Sequence, residues 1–255
     1  MPPPPLSLIP PPPPLPATDT PNSYFPITGF PARYVSSVFM AGASDDLYKC
    51  DLTYTKRLEV QPLYYKSLQI PFLDKILHSC NFLQTLVLPR VELSPSCVRA
   101  LGKLSSLTRL NIRDARFAPD THVVFPRSLT DLDVGYCRVA SHNIGDLANL
   151  ERLDATDFGL DRKSIESVMA LTNLQTLNIS WVQSFDTAPG PPHDISRLAN
   201  LRSLSACMMA NISCYCRISG IGALHNLAFL ELENCNLWSD DLEWMAEGTN
   251  IRNLN

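Results

Sequence analysis

The chain has 255 residues, 45% of them apolar and only 18% charged, enough for a sizeable core in one large domain or two small ones. Its 21 Lys and Arg against 25 Asp and Glu leave a net charge of -4, whereas a general nucleic-acid binder is normally basic. No stretch approaches the ~18 to 20 uninterrupted apolar residues of a membrane-crossing helix, and the first basic residue is Arg33, so neither a membrane span nor a secretory signal is expected. These features predict a cytoplasmic protein, with the nucleus left open. Its eight cysteines, Cys50, Cys80, Cys97, Cys137, Cys207, Cys214, Cys216 and Cys235, are then reduced thiols.

The first element in chain order is a proline-rich arm, with thirteen of the 22 prolines in the first 31 residues. Proline fixes φ near ~-65° and removes the backbone donor, so Ile9 to Pro16 favours an extended polyproline II rod over a packed element. Pro10, Pro11, Pro12, Pro13, Pro14, Leu15 and Pro16 form a candidate ligand for the aromatic grooves of SH3, WW, EVH1 or profilin-type domains. The competing reading is a solvated tail with no dedicated partner. Composition changes after about Arg33. The expected division is a disordered arm over 1–40, a degenerate first repeat or N-terminal cap over 41–81, and repeats over 82–255.

Beyond the arm the pattern Leu-x-x-Leu-x-Leu-x-x-(Cys/apolar)-x-Leu recurs, with starts at Leu83, Leu107, Leu129, Leu150, Leu174, Leu201, Leu227 and Ile251. This is the signature of leucine-rich repeats. An earlier degenerate copy is expected at Leu58, Val60 and Leu63, followed by the helix-like Phe72, Leu73, Ile76 and Leu77. Each Leu-x-Leu reads as a short strand with leucines inward and polar residues outward, and neighbouring strands must pair in parallel through a crossover on the far side. Ser94-Pro95 predicts a capped helix through Val98 and Leu101, Asp161 one through Ile165 and Val168, and Ser239 one through Leu242 and Met245 to Gly248. Pro119 to Ser128 and Pro189 to Asn200 contain prolines and predict loop or 3₁₀ turns. The predicted fold is therefore an α/β leucine-rich repeat solenoid, a curved parallel sheet with helices and loops on its convex side. About eight strands at ~4.8 Å give an inner face roughly 34 Å long, a length suited to a protein partner. The chain stops in mid-strand at Ile251 to Asn255, so the C-terminal edge is expected to be an unfinished end of a longer solenoid.

The non-leucine strand positions form ladders on the concave surface and are the expected contact residues. Arg90, Arg109 and Arg113 make the early part basic, Asp131, Asp133, Asp154 and Asp157 make the middle acidic, and Glu231 and Glu233 make the end acidic again. Tyr136, Trp181 and Met208 occupy equivalent positions among them, and an exposed tryptophan beside charge is what a binding hot spot looks like. Trp181 leads this set. The competing reading is a solvated charged face with Trp181 covered by the loop Phe185 to His193.

Catalytic and metal chemistry find little support. Cys207, Cys214, Cys216 and His225 lack the paired C-x2-C spacing of a zinc knuckle, and Cys137 and Cys235 fall at a core position of the repeat. The five histidines follow no motif that sets one beside a nucleophile, and no phosphate-binding glycine loop is present, so neither an enzyme nor a cofactor is expected. Asn178-Ile-Ser180 and Asn211-Ile-Ser213 match a glycosylation tripeptide that is common by chance.

The runs Phe82 to Leu88, Leu104 to Leu110 and Leu150 to Asp154 resemble the helix-containing repeats of cullin-RING substrate receptors, with the zyg-eleven family nearest in pattern. The resemblance covers about residues 55–255 and implies a non-catalytic, substrate-recruiting ubiquitin-ligase subunit with cullin and elongin as partners. The chain departs from that pattern in having the proline arm where a cullin-binding box is expected, and no armadillo-like region after the repeats. The alternatives are a polyproline-linked scaffold binding profilin, SH3 or WW-type partners, and an unassigned enzyme bearing a repeat surface.

Overall fold

A computed structural model describes residues 37–41, 52–61, 67–181, 191–207, 218–233 and 253–254. The proline rod, Met208, Cys235, the helix expected after Ser239 and most of the loop expected over Trp181 lie outside these residues.

Sixteen short strands run through the described residues. Ten form one sheet in the order β1 (Ser37–Ala41), β2 (Arg57–Gln61), β3 (Thr85–Val87), β5 (Arg109–Asn111), β8 (Asp131–Asp133), β10 (Arg152–Asp154), β11 (Thr176–Asn178), β13 (Ser203–Ser205), β15 (Phe229–Glu231) and β16 (Asn253–Leu254). Every pairing in it is parallel. The expected solenoid is thus what the chain forms, with ten strands in place of about eight and a sheet roughly 43 Å across at ~4.8 Å per strand. The strand that the repeat pattern did not show is β1, which carries no Leu-x-Leu and spans the boundary expected at residue 40.

Register follows from burial. A three-residue strand has one inward side chain, and Leu86, Leu110, Leu132, Leu153, Leu177, Leu204 and Leu230 face one another in line across the sheet, each 0 to 1% exposed. A slip of one residue would turn this whole row into water. Backbone carbonyls lock the same register where each strand begins. Gln84 O accepts from Thr108 N and Arg109 N at 2.9 and 3.0 Å, Thr130 O from Glu151 N and Arg152 N, and Arg202 O from Ala228 N and Phe229 N.

The crossover side is mixed, because the intervals differ in length and proline content. Where an interval carries a helical apolar periodicity, helices form: α1 (Leu73–Ser79), which has no side-chain cap, and α2 (Pro95–Leu101) and α3 (Arg162–Val168), which each have one. Ser94 Oγ accepts from Cys97 N at 3.3 Å with Pro95 in the first turn, and Asp161 Oδ1 accepts from Ser164 N at 2.8 Å. Elsewhere the chain makes 3₁₀ turns at Ile144–Asp146 and Ile221–Ala223 and three parallel strand pairs: β4 (Glu92–Leu93) with β6 (Arg116–Phe117), β7 (His122–Val123) with β9 (Ser141–His142), and β12 (His193–Asp194) with β14 (Ile218–Ser219). The interval after Pro119 contains no helix, as its prolines predict.

Between the two sides lies one continuous core. Phe125 and Phe158 are its largest fully buried side chains, and the degenerate first copy contributes Leu58 and Val60 at 0% exposure. Because each repeat rests only on its neighbours, losing one leucine should weaken the array locally and cooperatively. Leu153→Ala should cost about 3 kcal/mol of unfolding free energy, against about 1 kcal/mol for loss of the α3 cap in Asp161→Ala. Urea titration followed by circular dichroism checks both, and equal effects would contradict the assignment.

Candidate functional site

Two rows of side chains flank the buried leucines on the concave face. In the first, Asp131 Oδ2 lies 3.0 Å from Arg109 Nε and 2.9 Å from Arg152 Nε, so one carboxylate serves the arginines of both neighbouring strands. The second row contains Asn111, Asp133, Asp154 and Asn178, and each uses one side-chain oxygen to accept the backbone N–H two residues on, at 3.0 to 3.1 Å. These residues close the turn that ends each strand. Asp154 also accepts from Thr156 Oγ1 at 2.6 Å.

Arg113 reaches over this row, with Nη1 3.1 Å from Asp154 Oδ2 and 3.4 Å from Asp133 Oδ1, and its guanidinium carbon 4.8 Å from the Tyr136 ring centroid. Glycine at 135 makes room for it, since a Cβ there would meet Nη1 at 2.6 Å. Burial pushes the Asp133 carboxyl above its ordinary value, opposed by the Gly135 N–H and by Arg113. Burial works against the Arg113 charge, but Asp154 and Asp133 outweigh it and hold the guanidinium protonated.

The separate basic and acidic zones expected from the sequence are therefore cross-linked. Equivalent positions on adjacent strands stand only ~4.8 Å apart, within an arginine's reach, so charges that look segregated along the chain pair between repeats. Glu231 joins the polar part of the row, accepting from Ser205 Oγ at 2.8 Å, and Glu233 is exposed beyond it.

A third row begins where the strands end. Arg90, Asp114, Tyr136, Asp157 and Trp181 occupy the same repeat position and all adopt left-handed backbone conformations, with φ of 58°, 57°, 62°, 48° and 62°. All five donate their backbone N–H to the carbonyl of the residue before the next member of the row or its equivalent: Arg90 to Arg113, Asp114 to Gly135, Tyr136 to Thr156, Asp157 to Ser180 and Trp181 to Cys207, at 2.7 to 2.9 Å. A non-glycine residue in this region costs on the order of 1 to 2 kcal/mol, so the inter-repeat bonds hold a strained row whose side chains turn outward. Arg90 pairs with Asp114 at 3.3 Å, and Asp157 is gripped by Arg138 at 2.9 Å through both carboxylate oxygens and through its carbonyl at 2.6 Å. The two aromatics remain: Tyr136 is 45% exposed and Trp181 51%. A cleft of about 410 Å³ between Pro89, Arg90, Arg113, Asp114 and Tyr136 adjoins the first of them.

One row went unrecognised in the sequence. Asn149, Asn173, Asn200 and Asn226 each donate Nδ2 to a carbonyl of the preceding repeat, at Arg127, Ala148, Thr172 and Ala199, over 2.8 to 3.2 Å. Ser128 does the same to Leu107 O at 2.6 Å. The signal was the dipeptide Asn-Leu at the start of four successive repeats. At the same position in earlier repeats stand Tyr54 and Phe82, whose rings stack at 5.8 Å.

The remaining reactive groups fit the core. Burial pushes the Cys137 thiol up to about 12 and Cys80 to about 11, and Cys137 Sγ donates to Ile112 O at 3.0 Å. Among the described residues no cluster of three or more His, Cys, Asp or Glu suits a metal ion; Cys214 and Cys216 lie outside them. Both amide atoms of Asn178 are engaged, Oδ1 accepting from Ser180 N at 3.1 Å and Nδ2 donating to Asp154 Oδ2 at 3.5 Å. His122 Nδ1 does lie 2.5 Å from Ser141 Oγ, a contact between β7 and β9 on the crossover side, and among the described residues no carboxylate orients that histidine. No described helix is long and apolar enough to cross a membrane.

The architecture is that of a leucine-rich repeat protein. Among solved structures it is similar to a leucine-rich repeat protein of Leptospira interrogans, with 21% identity and a TM-score of 0.55 over 84% of this chain and 53% of that one. It is also similar to a chain of the mouse RP105/MD-1 complex, with 18% identity and a TM-score of 0.51 over 80% of this chain and 35% of that one. Internalin C2 of Listeria monocytogenes follows at 20% identity and a TM-score of 0.48, covering 75% and 76%. The chain thus spans about half the length of the leptospiral protein and about a third of the mouse one. No family model matches the sequence, and no curated protein matches it either.

Two outcomes follow from this geometry. Asp154→Ala, which strips the acceptor from a turn, should lose about 1 to 2 kcal/mol of stability, whereas Asp154→Asn should lose less than half of that, because Asn111 and Asn178 do the same work in other repeats. Denaturant midpoints decide it. For the thiols, the folded values of about 11 and about 12 exceed the unfolded value of ~8.5, so their stabilisation is complete below pH ~8.5 and is lost as pH rises towards the folded values. Urea midpoints measured at rising alkaline pH should fall, and Cys137→Ala should fall less steeply.

Proposed function

We propose that the chain is a non-catalytic binding solenoid whose concave face and left-handed row hold a protein partner, and that it serves as a substrate-recruiting subunit of a cullin-RING ubiquitin ligase. The observation that carries the binding reading is the pair Tyr136 and Trp181, half exposed and held in strained backbone beside charges that already neutralise one another. Aromatic anchors on a face whose ionic groups are spoken for by neighbours contribute area that a partner can bury without leaving a charge unpaired. Arg109, Asp131, Asp133, Asp154 and Glu231 then act as rim and framework, with Arg90, Arg113 and Asp157 bordering the aromatics. The ligase role rests on the resemblance of the runs at Phe82, Leu104 and Leu150 to the zyg-eleven family. The proline run supports a second reading, a scaffold that presents Ile9 to Pro16 to profilin, SH3 or WW-type domains.

Asparagine tolerates left-handed backbone, so Trp181→Asn and Tyr136→Asn remove the rings without adding strain. Affinity capture of the full chain from its native cells should recover cullin and elongin together with a substrate protein. Each aromatic variant should keep the wild-type unfolding midpoint, retain cullin and lose the substrate by about 30-fold, the loss of a ~2 kcal/mol hot spot. Absence of cullin and elongin from the wild-type capture overturns the ligase role, and recovery of profilin or SH3 proteins in their place supports the scaffold.

A further inference from the structure

The rim opposite the left-handed row, where the strands begin, carries a second ordered surface. An open groove of about 500 Å³ runs along it. Two rows line it, Ser128, Asn149, Asn173, Asn200 and Asn226 in one and Thr130, Glu151, Gln175 and Arg202 in the other. All of these side chains are polar, and the single carboxylate offsets the single guanidinium.

Bonds between repeats set both rows in place. Thr130, Glu151, Gln175 and Arg202 each offer a carbonyl to two N–H groups at the start of the next strand, at 2.8 to 3.1 Å. Each asparagine uses Nδ2 to donate to the preceding repeat, which fixes its amide plane and leaves Oδ1 without a partner among the described residues. The side-chain ends of Glu151, Gln175 and Arg202 likewise make no hydrogen bond or ion pair among the described residues. The groove is thus a pre-organised line of polar groups with unused capacity, repeated at ~4.8 Å.

An occupant must match that chemistry. Phosphate polymers need several uncompensated cations, and this groove has none to spare. A stable protein interface needs an apolar centre, and no apolar side chain lines the groove. A hydroxyl both donates and accepts, as an amide does, so a chain of neutral hydroxyl-bearing rings can pair at every step. The step of ~4.8 Å is close to the length of one ring in a straight glycan, whereas a coiled chain lifts successive rings off the row.

We propose that this groove binds a neutral, extended glycan of the cellulose type, one sugar ring per repeat. From Ser128 to Asn226 the row crosses four strand spacings, roughly 19 Å, enough for about four rings. Two strands further along the same rim stands Phe82, 51% exposed, whose ring offers an apolar face to the C–H face of a fifth or sixth sugar.

Isothermal titration of the full chain with cellobiose, cellotetraose and cellohexaose tests this, with maltohexaose as the coiled counterpart. Cellotetraose should bind about tenfold more tightly than cellobiose, and cellohexaose about threefold more tightly again on reaching Phe82. Maltohexaose should bind about tenfold more weakly than cellohexaose. Gln175→Ala removes a side chain that has no partner to lose, so it should keep the wild-type unfolding midpoint and weaken cellotetraose about fivefold. Phe82→Ser, the residue that stands at the same position as Ser106 and Ser128, should cancel the gain from cellotetraose to cellohexaose and leave cellotetraose unchanged. No binding of cellohexaose at ~10 mM, or equal binding of all four sugars, overturns the proposal. Cellotetraose binding that is lost in Trp181→Asn and survives in Gln175→Ala overturns the assigned groove. Loss of a captured protein partner in Gln175→Ala puts a polypeptide in the groove and overturns the glycan.

Discussion

The molecule depends on a repeat being unable to bury its own leucines. A three-residue strand with one inward side chain has almost no stability alone, and only parallel stacking on both sides removes Leu110, Leu132 or Leu153 from water. Stacking at a fixed spacing then dictates everything placed on the strands. Side chains at equivalent positions become close neighbours across the sheet whatever their distance in sequence, which is why residues 20 to 41 apart meet around Arg113. The backbone obeys the same rule, with carbonyls at the strand starts and N–H groups after the strand ends linking each repeat to the next.

Fold and core were legible in the sequence because they rest on periodicity. The spacing of leucines located the strands, and Ser94-Pro95 and Asp161 located two helices by the ordinary chemistry of helix caps. Strand β1 was not legible, since Ser37–Ala41 lacks the Leu-x-Leu and joins the sheet only by pairing with β2. The face was legible as a set of positions and illegible as a set of interactions. Asp133 and Asp154 read as free acidic groups, yet each has one oxygen committed to its own turn and both share Arg113, and nothing local to either residue announces this. The asparagine row shows the converse: Asn-Leu was visible four times, but its meaning needed the carbonyl one repeat earlier.

Charge and aromaticity divide the surface between them. Arg109, Asp131 and Arg152 form a chain of ion pairs, and exposed pairs of this kind contribute about 0 to 1 kcal/mol each. Their larger effect is to hold side chains in place and leave a face with little net field. A face with so little net field offers little long-range attraction to a charged molecule. The thiols, by contrast, belong to the interior, where Cys137 satisfies a carbonyl of the preceding repeat.

The left-handed row contains arginine, aspartate, tyrosine, aspartate and tryptophan, five chemically unrelated side chains on one backbone geometry. Glycine, the residue that this geometry favours, occurs at none of these five positions. The conformation is therefore imposed by the neighbouring repeats and is indifferent to what each residue carries. A position whose shape is guaranteed from outside and whose side chain points outward is free to drift. Side-chain chemistry could vary along this single line, one residue per turn of the coil, while the interior that supports it stays unchanged.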